Sequence, residues 1–347
     1  MALTSPAKVK VTGINQVALV VKDLQKTMEN YWNILGIGPW DVLSWEAPLV
    51  HHRQYHGKPA WAREKIAITR VGAVEFELCQ PVEGDSIYRD FLMEHEEGLH
   101  HMNFLTDSLD DMDKTVEILA KEGFPCVQSG QFGSSNNIGA FSYVDTKPLR
   151  TIWEPVYDVE SENVDTEITR YPDTAQASPA KVKVKGIGQV ALVVKDLQKT
   201  MENYWNILGI GPWTVYSLDA HLLRNRRYHG KPAWASEKEA LAQVGEVELE
   251  LCQPIEGESI YQDFLTEHGE GLHHMNFLVD SADEVDNVTE VMAKEGFPCL
   301  QSAQFGSSDN IGAFSYIDIK PLRTIWEPVH KSENADAEIA RYPEESA

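Results

Sequence analysis

Gln16, Glu77, His101 and Glu154 are polar residues set inside otherwise apolar, strand-like runs. One amide, one imidazole and two carboxylates form a mixed nitrogen and oxygen donor set that suits a borderline or hard divalent ion. Taken singly, each reads as a rim residue on a half-exposed strand. Taken together they recur, because Gln189, Glu250, His274 and Glu327 stand in the same runs 173 residues later. A buried carboxylate needs a cation or hydrogen-bond donors, so two such sets point to two metal sites.

Strand parity decides which neighbours share their face. Glu75, Glu77 and Cys79 lie on one side of the run AVEFELCQ, with Phe76 and Leu78 on the other. Asn103 shares the face of His101, and Trp153 points away from that of Glu154. Glu75 and Asn103, with their repeats Glu248 and Asn276, therefore flank the donor set as candidate substrate contacts. A second duplicated group is Tyr55-His56-Gly57-Lys58-Pro59-Ala60-Trp61, which recurs as Tyr228-His229-Gly230-Lys231-Pro232-Ala233-Trp234. With Arg53 and Arg226 it reads as a cationic, aromatic loop, either a packed turn or a lid. Arg53, His56, Lys58, Arg226, His229 and Lys231 would then clamp a substrate carboxylate or phosphate. His51 and His52 align with Arg224 and Asn225, and Trp45 with Leu218, so the halves differ in the lid and not among the donors.

The elements that must position these residues also repeat. Residues 8–40 and 181–213 differ at only two of 33 positions, and the offset of 173 never slips. A solenoid unit is roughly 20–50 residues long, so this is duplication of a whole domain, predicted over residues 8–156 and 181–329. The polar, acidic stretches 157–180 and 330–347 read as a linker and a tail. In the first half, Ile14–Val21 is a strand and Asp23 caps a helix over Leu24–Leu35 that Gly36 and Gly38 end. Strands follow near Trp40–Trp45, Lys65–Val71 and Ala73–Gln80. The pattern then restarts with the strand His100–Thr106, the helix Leu109–Glu122 and strands near Cys126–Phe132, Ala140–Asp145 and Thr151–Val156. Each half thus reads β-α-β-β-β twice, a sheet of eight strands, and the chain holds four such modules.

Composition narrows the partners. With 54 Asp+Glu against 30 Lys+Arg, the net charge of -24 opposes binding to nucleic acid or an anionic membrane surface. Apolar runs such as Val17–Val21 are far too short to span a bilayer. The four cysteines form no C-x-x-C pair, and the start MALTSPAKVKV has no apolar signal core, so the expectation is a reduced, cytoplasmic protein.

The segment GINQVALVVKDLQKTMENYWNILGIGPW resembles the opening of a vicinal oxygen chelate, or glyoxalase-like, domain. QPVEGDSIYRDFLMEHEEGLHHMNFLTDSLDDM is similar to the middle of methylmalonyl-CoA epimerases. The resemblance implies an α+β fold in which paired β-α-β-β-β modules form a cup-shaped mixed sheet around a divalent metal. By position the implied ligands are Gln16, Glu77, His101 and Glu154, and Gln189, Glu250, His274 and Glu327. His101 is preferred to His100 by alignment and by parity with Asn103. The Gln/Glu/His/Glu set resembles the glyoxalase I type, whereas extradiol dioxygenases hold iron with two His and one carboxylate.

The function implied is a metal-dependent isomerase, epimerase or lyase acting on a small carbonyl or oxygen-chelating substrate through a metal-stabilised enolate. A ligand carboxylate, Glu77 or Glu154 (Glu250 or Glu327 in the repeat), would act as the base. The ion is zinc, nickel, cobalt, manganese, magnesium or iron, and the protein a monomer or homodimer. The rival readings are a metal-free binding protein resembling bleomycin-resistance proteins and a ring-cleaving dioxygenase. Modules are expected to pair either within a half or across halves.

Overall fold

The computed structural model describes residues 4–134, 137–159, 168–173, 177–219, 222–307, 310–332 and 338–343. Parts of the expected linker (160–167 and 174–176) and of the expected tail (333–337 and 344–347) lie outside the described residues. Two compact units emerge, Val11–Ala180 and Lys181–Ala347 with Met1–Lys10. Within the second unit the Ser5 hydroxyl donates to the carbonyl oxygen of Trp205, and Ser178 does the same to Trp32 in the first.

The first module of unit Val11–Ala180 contains β1 (Gln16–Val20), α1 (Leu24–Leu35), β2 (Trp40–Trp45), β3 (Val50–Tyr55), β4 (Lys58–Pro59), β5 (Ala62–Val71) and β6 (Val74–Gly84). After α2 (Ile87–Glu94), the second contains β7 (Gly98–Leu105), α3 (Leu109–Lys121), β8 (Cys126–Ser134), β9 (Asn137–Thr146) and β10 (Thr151–Tyr157). A last strand, β11 (Thr169–Tyr171), follows. The Asp23 carboxylate accepts from the Lys26 amide to cap α1, and Gly36, at φ 68°, supplies the left-handed residue that ends it.

All strands join one sheet in the order β11-β2-β5-β6-β1-β7-β10-β9-β8-β3-β4. The two modules therefore pair within a half. β1 lies at the seam, parallel to β6 and antiparallel to β7, while β7 runs parallel to β10. Because β1 is covered on both faces, all five of its residues are buried. On the outer face Tyr31 of α1 packs edge-on against Phe76, ring centres 5.1 Å apart. The inner face curls into a cup. Trp45 on β2 touches Phe132 on β8 (5.3 Å) and Phe141 on β9 (5.8 Å), although these strands are far apart in the sheet order.

Two features depart from the eight-stranded expectation. The stretch expected as a loop is a hairpin, β3–β4, whose His56 and Gly57 both have positive φ, as a tight hairpin turn requires. Part of the expected linker is β11, paired with β2.

The second unit repeats the plan with β12 (Gln189–Val193), α4 (Leu197–Ile207), β13 (Trp213–Leu218), β14 (Arg224–Tyr228), β15 (Lys231–Pro232), β16 (Ala235–Val244) and β17 (Val247–Gly257). There follow α5 (Ile260–Glu267), β18 (Gly271–Leu278), α6 (Ala282–Lys294), β19 (Cys299–Ser307), β20 (Asn310–Ile319), β21 (Thr324–His330) and β22 (Glu338–Tyr342). Its sheet has the matching strand order, with β22 added to β13. All four cysteines are free thiols. Among the described residues no helix is long and apolar enough to cross a membrane.

Candidate metal centre

The register of the three central strands builds the site. Ala18 on β1 lies beside Glu77 on β6 and beside His101 on β7, and His101 is next to Ile152 on β10, two residues before Glu154. A methyl group at Ala18 leaves space between the longer side chains on either side. His101 Nε2 lies 3.5 Å from Glu77 Oε2 and 3.4 Å from Glu154 Oε2. His101 is fully buried, and its Nε2 has no hydrogen-bond partner among the described residues. In the second unit His274 Nε2 lies 3.2 Å from Glu250 Oε2 and 3.6 Å from Glu327 Oε2, and is likewise without a partner. An unpaired imidazole nitrogen facing two buried carboxylates is an arrangement that a divalent cation satisfies, and the residues fit one.

The other nitrogen of the ring is engaged. His101 Nδ1 is 2.9 Å from His100 Nδ1, as His274 Nδ1 is from His273 Nδ1. Burial, then the charge of His101, hold His100 well below the usual imidazole pKa, so His100 is neutral and accepts. The pair thus sets the tautomer that turns Nε2 of His101 inward. Tyr88, stacked on the His101 ring, and Tyr143 join hydroxyls at 2.5 Å beside it.

Gln16 is placed by its own chain of contacts. Asn103 Nδ2 donates to Gln16 Oε1 (2.9 Å), and Gln16 Nε2 donates to Glu75 Oε1 (2.7 Å). In the second unit Asn276 donates to Gln189 in the same way. Gln16, Glu75, Glu77, Asn103 and Glu154 all line a cavity of about 650 Å³ whose apolar wall includes Trp45, Phe132 and Phe141. Burial and the adjacent Glu77 charge push Glu75 up to about 7. Burial, only partly offset by His101, raises Glu154 above the usual carboxylate range.

A profile of the Glyoxalase/Bleomycin resistance protein/Dioxygenase superfamily matches residues 15–141 and again residues 188–314. The chain belongs to this superfamily. By sequence, no curated protein matches it. Among solved structures, a mutant of 4-hydroxymandelate synthase from Streptomyces coelicolor is similar with a TM-score of 0.58 at 13% identity, over 94% of this chain and 95% of that one. An Mn(II)-bound glyoxalase from Novosphingobium aromaticivorans is similar with a TM-score of 0.51 at 14% identity, over 94% of this chain and 85% of that one. At such identity the likeness to these superfamily folds is one of fold.

Of the cationic residues expected as a clamp, Arg53, His56 and Lys58 are not among those lining the cavity of the first unit. Arg53 is buried in a bidentate ion pair with Glu64, and Arg226 in one with Glu237, so the two terminal nitrogens of each guanidinium are committed within the fold. His56, Lys58, His229 and Lys231 are exposed at the hairpin turns, and the first two are not among the cavity's lining residues. The aromatic-cationic repeat forms a hairpin in each unit. Its Tyr55 hydroxyl donates to Asp90 (2.6 Å), and burial followed by that bond pushes the Tyr55 pKa up to about 12. The roles of His100, Tyr88 and Tyr143 were not read from sequence, although each is duplicated, as His273, Tyr261 and Tyr316.

Proposed function

We propose that the chain is a divalent-metal-dependent enzyme that isomerises, epimerises or eliminates from a small carbonyl or oxygen-chelating substrate. Proton removal from the carbon beside the oxygen is the shared step. The observation that carries this reading is the buried Nε2 of His101, without a hydrogen-bond partner among the described residues, set between Glu77 and Glu154, two carboxylates that line a cavity large enough for a small molecule.

A divalent ion held by His101, Glu77, Glu154 and Gln16 supplies, when bound, Lewis-acid stabilisation of charge developing on a substrate oxygen. Glu154 is the base: its burial makes it more basic than a solvated carboxylate. Glu75, with its pKa near 7, and the Asn103 and Gln16 amides bind and orient polar groups of the substrate. Trp45, Phe132 and Phe141 exclude water from the opposite wall.

The test is proton exchange. Chelator-stripped protein is reloaded with single divalent metals and incubated in D2O with a panel of hydroxycarbonyl and dicarbonyl compounds. NMR should show metal-dependent deuterium incorporation beside a carbonyl. Oxygen uptake by the iron-loaded protein without such exchange would replace this reading with ring cleavage.

A further inference from the structure

The two cups are near copies at the expected ligand positions and differ on their floors. Ile66 on β5 stands opposite Cys79 on β6; its counterpart on β16, Glu239, stands opposite Cys252 on β17. This register puts Glu239 on the face of Glu250. Ligand atoms of Glu239, Glu250 and Cys252 all lie within 4.8 Å of one another. Cysteine is common to both cups, since Cys79 Sγ lies 3.2 Å from Glu77 Oε2. Glu239 is what the second cup adds.

Other atoms point into the same space. Glu250 Oε2 and His274 Nε2 are both buried, both without a hydrogen-bond partner among the described residues, and 3.2 Å apart. Glu327 closes on the same nitrogen. Glu250 is thus shared between two neighbourhoods, His274 with Glu327 on one side and Glu239 with Cys252 on the other, and carboxylates gathered this closely repel one another unless a cation lies among them.

We propose that the second unit holds its divalent ion with Glu239 as a ligand added to His274, Glu250 and Glu327, an oxygen-rich site that selects a hard cation such as Mn²⁺ or Mg²⁺. The inference rests on the metal reading above and adds a ligand that the first unit lacks. It also divides the labour. Two carboxylates neutralise a divalent ion, whereas three leave the site at net charge -1, which opposes a substrate gaining negative charge. The mouth differs in the same sense. Lys331 Nζ binds Glu248 Oε1 at 2.6 Å, where the first unit has Asp158 in the place of Lys331. Glu248 is thus tied down, while its counterpart Glu75 lines the open cavity.

The test is Mn²⁺ titration of the chelator-stripped full chain, followed by the EPR signal of the free ion. Wild type, Glu239→Ile, the isosteric Glu239→Gln and Glu154→Gln are compared, with circular dichroism as the check on folding. Two ions should bind per wild-type chain. Both Glu239 variants should weaken one of them at least tenfold and leave the other unchanged, while Glu154→Gln weakens that other one. Wild-type affinities at both sites in Glu239→Ile and Glu239→Gln would overturn the inference and leave the metal reading intact. A single ion, lost in Glu154→Gln, would do the same. No ion in wild type would overturn both.

Discussion

Arg53 on β3 and Glu64 on β5 hold a buried bidentate ion pair across strands that are near opposite ends of the sheet order. Only a sheet curled back on itself brings them together. Arg226 and Glu237 repeat the link at 2.9 and 2.7 Å. Removing one partner of such a pair strands the other charge in the interior, which costs about 3–5 kcal/mol. Arg53→Ala should therefore lower the stability of unit Val11–Ala180 far more than Arg53→Met combined with Glu64→Leu, read by denaturant unfolding. Equal losses would mean that the two charges act independently.

Ala18 leaves the gap between Glu77 and His101. Ala18→Leu should fill it and remove one bound metal ion per chain while the sheet still forms. Metal content by mass spectrometry, with circular dichroism, checks this. Full metal content in the variant would place the ion elsewhere.

His100 fixes the tautomer of His101 through the 2.9 Å contact between their Nδ1 atoms. Partners of ligating histidines typically contribute 10–100-fold to metal affinity. His100→Phe should weaken the first site by about that factor, measured by competition with a chelating dye. An unchanged affinity would confine His100 to packing.

In the metal-free protein burial lowers the pKa of His101, but the carboxylates of Glu154 and Glu77 outweigh it and raise the ring to about 9. The ring is then protonated at neutral pH, and a metal ion must displace that proton. Apparent metal affinity should climb with pH and level off near 9. Calorimetry at pH 7.5 in buffers of different ionisation enthalpy should detect proton release; heats independent of buffer would contradict it.

Glu154→Gln and Glu327→Gln should have unequal effects on proton exchange. Loss of a general base costs about 10²–10⁴-fold, and the larger loss should follow Glu154→Gln, in the cup with two ligand carboxylates and an open cavity. Equal halving by the two variants would indicate equivalent sites.

Much of this was legible in the sequence because it rested on local chemistry or on the repeat. Asp23 and Gly36 bracket α1, and the predicted span matches the observed helix. Strand parity put Glu75 beside Glu77 and Asn103 beside His101 on their own strands, and the recurrence of the set with the family resemblance joined Glu77 to His101. What was not legible depends on distant partners. VHHRQY has no alternation of apolar residues, so β3 is a strand only because β8 pairs with it. Arg53 reads as a free cation until curling of the sheet presents Glu64. TRY in an acidic stretch gives no signal for β11, which forms against the edge of β2.

That last strand bears on how copies of the chain avoid one another. A long free edge is a template for pairing with a second molecule, and native sheets blunt it with short strands, charge and proline. β11 covers β2 with only three residues, and its Arg170 grips Asp41 of β2 through two bonds of 2.8 and 3.0 Å. The opposite edge is β4, just Lys58 and Pro59. A fragment cut at Tyr157 would bare β2 and invite strand-by-strand aggregation. The stretch that reads as a spacer thus serves as an edge guard.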